Sequence, residues 1–319
     1  MRRLIIDTDT ASDDAVALIM ALREPQVTVE AITIVSGNVP VAQASRNARY
    51  VVELCGAEIP VYEGADRPLV KPRAHATHFH GEDGLGDIGY PPPRLPAAQG
   101  YAALEIIRRC QAAPGEIELV TLGPLSNVAM ALRLEPRLAG WVRHCTVMGG
   151  AAATLGNVTP AAEFNLWCDP EAARIVLHSG MPVTLVGWEL SRGEACFTSA
   201  ELEAVRALNT ELARFAVDCN RAAFVAATQT QAEAGLSLPD PVAMAIALDP
   251  DTCAEAVTCG IEVVLDGPAR GATLVDILSV AGRGDSAGDP AWASPLPTVE
   301  VCRMLDVARF KVRVNTALS

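Results

Sequence analysis

A single α/β domain over residues 1–319, with a central, mostly parallel sheet flanked by helices around a Rossmann-like core, is predicted by three observations. Short β-branched runs alternate with helical stretches along the chain, the pattern of repeated strand–helix units. Half of the 319 residues are hydrophobic and mean hydropathy is +0.24, enough to bury a sheet on both faces. No linker-like stretch, internal repeat or low-complexity tail divides the chain.

The elements follow in order. Leu4-Ile5-Ile6 reads as a short buried strand, and Ser12 as the cap of a helix starting at Asp13 with Ala15 to Met20 as its apolar body. Residues 27–35 form a β-branched strand that stops at Ser36-Gly37-Asn38, before a helix over 41–55. Residues 63–98 are irregular, rich in Gly and Pro. A helix over 99–111 precedes a strand at 117–121, which turns at Gly123-Pro124 into a helix through Leu132. A strand at 145–148 leads through Gly149-Gly150 into a long loop. Asp169-Pro170-Glu171 then starts a helix with proline at its favoured first position. Strand 183–186, a helical stretch over 199–235, a small apolar helix from Pro239 to Leu248, strands at 261–265, 272–277 and 298–302, and a terminal helix complete the chain. The loops at 63–98 and 149–168 are longer than connections need and are expected to wall a site.

The segment Ile5-Ile6-Asp7-Thr8-Asp9-Thr10-Ala11-Ser12-Asp13-Asp14-Ala15 packs four carboxylates around one strand-to-helix turn. Open α/β sheets bind ligands at the C-terminal ends of their strands. Four like charges there are costly without a cation, and an all-oxygen donor set suits Ca²⁺ or Mg²⁺. The formal charge of −13, with only Lys71 and Lys311 as lysines, argues against nucleic acid or an anionic membrane as partner. Nine cysteines without a CxxC pair read as reduced core thiols of a cytoplasmic protein. Arg2-Arg3 precede too few apolar residues for a signal peptide, and no stretch is long and apolar enough to span a membrane.

His75, His78 and His80 lie close together, but no cysteine stands nearby to complete a usual structural zinc set; a loop carrying one site histidine, His80, is the expectation. His144 and His178 are expected to pack or face solvent. Tyr90, Phe164, Trp167 and Trp188 are aromatic candidates for stacking on a planar ligand. Glu163 and Asn165, two residues apart, share one side if their segment is extended.

Six ordered segments resemble the inosine–uridine preferring nucleoside hydrolases: Asp7-Thr8-Asp9 with Asp13-Asp14-Ala15, Gly37-Asn38, His80-Gly81-Glu82-Asp83-Gly84-Leu85-Gly86, Thr121-Leu122-Gly123-Pro124-Leu125-Ser126-Asn127, Met148-Gly149-Gly150 with Ala162-Glu163-Phe164-Asn165, and Asp240-Pro241. The resemblance implies a Ca²⁺-dependent N-glycosidase of nucleoside salvage that splits ribonucleosides into ribose and base, on a nucleoside hydrolase-like fold, as a homodimer or homotetramer. It implies Asp9, Asp14 and Asp240 as side-chain ligands and Thr121 as a carbonyl ligand of Ca²⁺. Asp13 becomes the base that takes a proton from the attacking water. Asn38, Glu163 and Asn165 hold ribose hydroxyls, and Asp7, part of the first motif, is expected to support the ligands; Met148 is expected to line the substrate, with Phe164 and Trp188 as the aromatic candidates beside it. Such chemistry suits an oxocarbenium-like ribosyl cation, which a carboxylate-rich pocket stabilises.

One departure stands out. Where studied members carry a histidine before the last metal aspartate, and purine-preferring relatives a tryptophan, this chain has Pro239. Proline donates no proton, so activation of the leaving base falls to His80, with Glu189 or Arg192 assisting. Two rival readings follow: a non-catalytic Ca²⁺-dependent ribose-binding protein, and a haloacid-dehalogenase-like phosphatase using Asp7 and Asp9.

Overall fold

The computed structural model describes residues 1–283 and 292–319. In chain order its elements are β1 (Arg2–Thr8), α1 (Ser12–Arg23), β2 (Val27–Ile34), α2 (Val41–Leu54), β3 (Val61–Glu63), α3 (Thr77–His80), α4 (Ala102–Ala112), β4 (Ile117–Thr121), α5 (Ser126–Leu134), α6 (Leu138–Trp141) and β5 (His144–Met148). They continue with α7 (Phe164–Cys168), α8 (Pro170–Leu177), β6 (Val183–Val186), α9 (Ser199–Arg206), α10 (Glu211–Cys219), α11 (Arg221–Thr230), α12 (Pro239–Leu248), β7 (Cys253–Val263), β8 (Thr273–Asp276), β9 (Thr298–Leu305) and α13 (Val307–Leu318).

The strands form one sheet in the order β3-β2-β1-β4-β5-β6-β9-β7-β8. Pairing is parallel from β3 to β9, and β7 runs antiparallel to both β9 and β8. The chain winds outward in one direction from β1 through β2 to β3, and in the other from β4 through β5 to β6, so the order switches between β1 and β4. A crevice opens there at the C-terminal strand ends. In β1, Ile5 joins one apolar cluster and the next residue, Ile6, the other; Leu119 and Val120 divide the same way in β4. Alternation thus buries both faces, as a parallel sheet requires. Helix α1 is buried from Ser12 to Ala21 and packs against α12, which brings the N-termini of both helices to the crevice.

Several expectations shift. The 199–235 stretch is three helices, because Asn209 takes a left-handed φ of 58° and Thr210 caps α10 by accepting from the Ala213 N–H (3.0 Å). The irregular 63–98 segment contains α3, and the 149–168 loop ends in α7. Strand β7 starts eight residues before the expected 261, since it pairs along most of its length with β9. That pairing also brings Cys253 and Cys302 into a disulfide with Cα atoms 6.0 Å apart, so the expectation of reduced thiols throughout fails for this pair. The remaining seven cysteines are free. No helix among the described residues is long and apolar enough to cross a membrane.

Candidate active site

The floor of the crevice is the turn after β1. Asp7, still in the strand, points into the sheet layer, where its Oδ1 accepts from Thr33 Oγ1 (2.6 Å) and Asn127 Nδ2 (2.8 Å). It ties β1 to β2 and α5, a supporting role. Asp9 follows the strand and lies between two glycines. A Cβ on Gly37 would come 2.0 Å from its Oδ2, and one on Gly123 2.6 Å from its Oδ1. The Asn38 N–H donates to Asp9 Oδ2 (2.5 Å), while Oδ1 is buried without a hydrogen-bond partner.

Helix α1 begins at Ser12, one residue earlier than expected, and Ser12 does not cap it. Asp14 does so instead: its Oδ2 accepts from the Ala11 N–H (2.8 Å) and its Oδ1 from Thr8 Oγ1 (2.5 Å). Asp240, in the first turn of α12, faces the same point. One carboxylate oxygen from each of Asp13, Asp14 and Asp240 lies within 4.8 Å of the others, all three residues buried. Asp9 and Thr121 flank this triad from the ends of β1 and β4, where Asp7 and Thr121 are in register.

The electrostatics match the crowding. Burial raises Asp13 and Asp14 to about 6, with the Asp13 charge adding to the rise at Asp14. Asp240 is pushed well above the usual carboxylate range by burial and then by the charges of Asp13, Asp14 and Asp9; Asp9 is raised by burial and by Asp14. Unpartnered oxygens on Asp9 and Asp13 beside a hard-oxygen triad fit a divalent cation, which would neutralise this charge.

Above the floor is a cavity lined by Asp13, Asp240, Asn38, Glu163 and Asn165, with Leu122 and Met148 below and Phe164 and Trp188 at the side. Glu163 is extended but Asn165 is already helical, so the two do not share one extended segment: Glu163 caps α7, accepting from the N–H groups of Asn165 (2.8 Å), Leu166 (3.2 Å) and Gly150 (2.8 Å). Burial still raises it to about 7. Asn165 Nδ2 donates to the Leu122 carbonyl (2.7 Å) and contacts Met148 Sδ at 3.2 Å. Asn38 Nδ2 reaches Asp14 Oδ2 at 3.4 Å.

His80 ends α3 and faces the cavity. Its Nδ1 lies 2.9 Å from Ser12 Oγ and 3.8 Å from Asp13 Oδ1, and burial lowers its pKa to about 4. His78 and Pro239 also line the cavity, whereas His75 Nδ1 bonds the Gly37 carbonyl (2.8 Å). Two of the three histidines, His78 and His80, therefore meet the cavity where one was expected, and His75 turns away. His144 contacts Thr184, and His178 the Ile261 carbonyl. Of the aromatic candidates, Phe164 and Trp188 meet the cavity. Tyr90 packs on Tyr50 and Phe215, and Trp167 lies under Lys71 Nζ at 3.3 Å. Glu189 and Arg192 are engaged elsewhere: Glu189 accepts from the Ala153 N–H (3.1 Å), and Arg192 pairs with Glu233 (2.5 Å) and covers the Trp188 ring at 4.4 Å.

Several residues that organise the site escape sequence reasoning. Asn220, between α10 and α11, donates to the Ser12 carbonyl (3.1 Å), and Arg221 donates to the Gly86 and Asp87 carbonyls of the histidine loop (2.5 and 2.9 Å). Asn47 bridges the carbonyls of Thr10 and Asp83, both at 2.9 Å. No motif marks these positions. Asn127 alone could have been found, as the last residue of the threonine segment.

A switch-point cavity over a buried carboxylate floor is the place where α/β enzymes bind small polar ligands. The chain belongs to the inosine-uridine preferring nucleoside hydrolase family, which it matches over residues 4–312. It is 36% identical over 279 residues to the inosine-uridine preferring nucleoside hydrolase of Leishmania major, covering 86% of this chain and 88% of that one. It is 35% identical over 285 residues to the pyrimidine-specific ribonucleoside hydrolase RihB of Escherichia coli, covering 88% and 90%. A plant nucleoside hydrolase structure superposes with a TM-score of 0.91 at 31% identity, covering 99% of this chain and 98% of that one. The protein is thus an N-glycosidase that hydrolyses ribonucleosides, small-molecule substrates, to ribose and free base. Both rival readings are overturned. Family membership makes the chain an enzyme rather than a mere ribose binder. For the phosphatase reading, Asp7 is also sealed beneath Thr33 and Asn127, unable to act as a nucleophile.

Proposed function

We propose that this hydrolase is Ca²⁺-dependent and that Asp13 is the base that activates the attacking water. The observation that carries this reading is the buried triad of Asp13, Asp14 and Asp240, with Asp13 Oδ1 unpartnered at the floor of the cavity. Asp9, Asp14, Asp240 and the Thr121 carbonyl would hold the ion. Bound there, Ca²⁺ would organise the vicinal ribose hydroxyls and make a nearby water more acidic.

The chain's own residues do the rest. Asn38, Glu163 and Asn165 hold the ribose hydroxyls, and the carboxylate floor stabilises positive charge developing on the sugar. Met148, Phe164 and Trp188 exclude water around it. His80 donates a hydrogen bond from its neutral ring to the departing base, where Pro239 has no N–H to offer.

A second assignment of the base has its own support. Asp9 lies outside the tight triad and carries an equally unpartnered buried oxygen, so Asp9 as base with Asp13 as ligand fits the same geometry. Asp13→Asn and Asp9→Asn, each assayed for turnover and for bound calcium, separate the two. The base variant keeps the ion and loses turnover, and the ligand variant loses both.

The test of the whole reading is a panel of purine nucleosides, pyrimidine nucleosides and p-nitrophenyl riboside, assayed for free ribose with and without chelator. Ribose release that stops with chelator and returns with Ca²⁺ is expected. Chelator-insensitive release overturns the calcium dependence.

A further inference from the structure

We propose that Ser12 is a positioning residue that fixes His80 in the tautomer protonated at Nε2, so that a neutral imidazole presents an N–H to the departing base. This rests on the reading of His80 given above.

The hydrogen-bond inventory of two buried groups carries the inference. Ser12 is fully buried, and its hydroxyl is not used as a helix cap. Among the described residues, His80 Nδ1, at 2.9 Å, is the one hydrogen-bond partner of that hydroxyl. A serine hydroxyl holds one proton, and a buried donor left unmade is costly. The Ser12 O–H therefore donates, and Nδ1 accepts as an unprotonated nitrogen. Asp13 Oδ1, at 3.8 Å, is too far to take a hydrogen bond from Nδ1 and so cannot reverse the assignment. With Nδ1 unprotonated, the single proton of the neutral ring sits on Nε2, the remaining nitrogen of a ring that lines the cavity.

Both partners are held in place. The Ser12 carbonyl accepts from Asn220 Nδ2 (3.1 Å), which anchors the start of α1. The His80 N–H donates to the Ala76 carbonyl (3.1 Å), its carbonyl accepts from Gly86 (2.9 Å), and Phe79 packs edge-on against the ring at 4.9 Å. A donor fixed in this way strengthens its bond as negative charge grows on the base, whereas a substrate with a self-sufficient leaving group gains little from it.

The direct test is a long-range ¹H–¹⁵N correlation spectrum of ¹⁵N-histidine-labelled protein, with His80 assigned by its loss in His80→Ala. The Nε2–H pattern is expected at neutral pH, and an Nδ1–H pattern overturns the proposal without any assay of turnover. The kinetic test compares kcat on inosine with kcat on p-nitrophenyl riboside. Ser12→Ala should lower that ratio roughly three- to tenfold, the scale of one lost hydrogen bond, with little change in KM. Ser12→Thr, which keeps the hydroxyl, should restore it. If His80→Ala lowers the ratio and Ser12→Ala does not, Ser12 positions nothing. If His80→Ala leaves the ratio intact, the leaving-base role of His80 fails, and the spectrum still decides the tautomer.

Discussion

The cavity has two sides built in different ways. Its floor comes from the ends of β1, β2 and β4 and the starts of α1, α7 and α12, which carry the carboxylates together with Asn38, Glu163 and Asn165. Its outer wall comes from the 151–162 loop, the Trp188 segment and the chain leading into α12. These pieces are bridged by side chains: Trp188 Nε1 donates to the Leu155 carbonyl (2.9 Å), and Arg192 links Glu233 to the Trp188 ring. Ribose is common to all nucleosides and the base is not. A rigid, charge-dense floor suits the shared chemistry. A wall of separate, partly exposed segments suits the variable part, and Pro239, the half-buried first residue of α12, stands where that wall meets the carboxylates.

The sharpest way to break this comparison is to remove what the floor reads. Ribosides should exceed 2′-deoxyribosides by up to roughly 10⁴ in kcat/KM, because a missing hydroxyl leaves buried polar groups unpaired. Similar values for inosine and deoxyinosine would detach the sugar from Asn38, Glu163 and Asn165.

Asp13→Asn is expected to cost roughly 10²–10⁴ in kcat while calcium, measured by calorimetry, still binds. Asp14→Asn should lose the calcium itself, because Asp14 also organises the turn through Thr8 and Ala11.

Proton competition gives a pH signature confined to the floor. Burial raises Asp13 and Asp14 from 3.8 to about 6, so the ion-free protein takes up protons on folding between about pH 4 and pH 6. The sign follows from linkage: the contribution of these two carboxylates to ion-free stability is greatest below about pH 4 and declines as pH rises through 6. A cation must displace those protons, so calcium affinity should climb with pH, by about tenfold per unit for each proton displaced. Calorimetry at pH 5, 6 and 7.5 reads this directly. A flat affinity would mean that Asp14 does not ligate the ion and that Asp13 does not feel its charge.

The wall should respond more gently. Arg192→Ala removes the bridge to Glu233, and with Arg192 about one-third exposed the effect should be a few-fold in KM for natural nucleosides. The proportion between purine and pyrimidine substrates should shift more than kcat on p-nitrophenyl riboside. An equal loss on every substrate would mean that the wall serves stability rather than base choice.

The same contrast explains what could be read from sequence. The start of the floor was legible because adjacent residues carry it, four aspartates around one strand end. Gly37, Gly123 and Asp240 are marked in the sequence only as a strand stop, a turn and a motif match, and the structure adds that a side chain on either glycine would strike Asp9. Strand alternation likewise gave the parallel core. What stayed hidden depends on segments far apart in the chain. Ser12 reads locally as a cap, yet its hydroxyl serves a histidine 68 residues away. Asn220 and Arg221 lie in what reads as continuous helix, and the Cys253–Cys302 bond needs the register of β7 on β9. Glu163 and Asn165 were found, but as an extended pair rather than a helix cap and the residue it caps.

The account stands most directly on the carboxylate floor holding the ion that turnover needs. Chelator-stripped protein titrated with Ca²⁺, with heat and ribose release from inosine and uridine followed on the same sample, tests it. One ion bound per chain, with activity rising from near zero in step with occupancy, is the predicted result. Full activity in the stripped protein, or calcium binding that Asp14→Asn leaves unchanged, would contradict it.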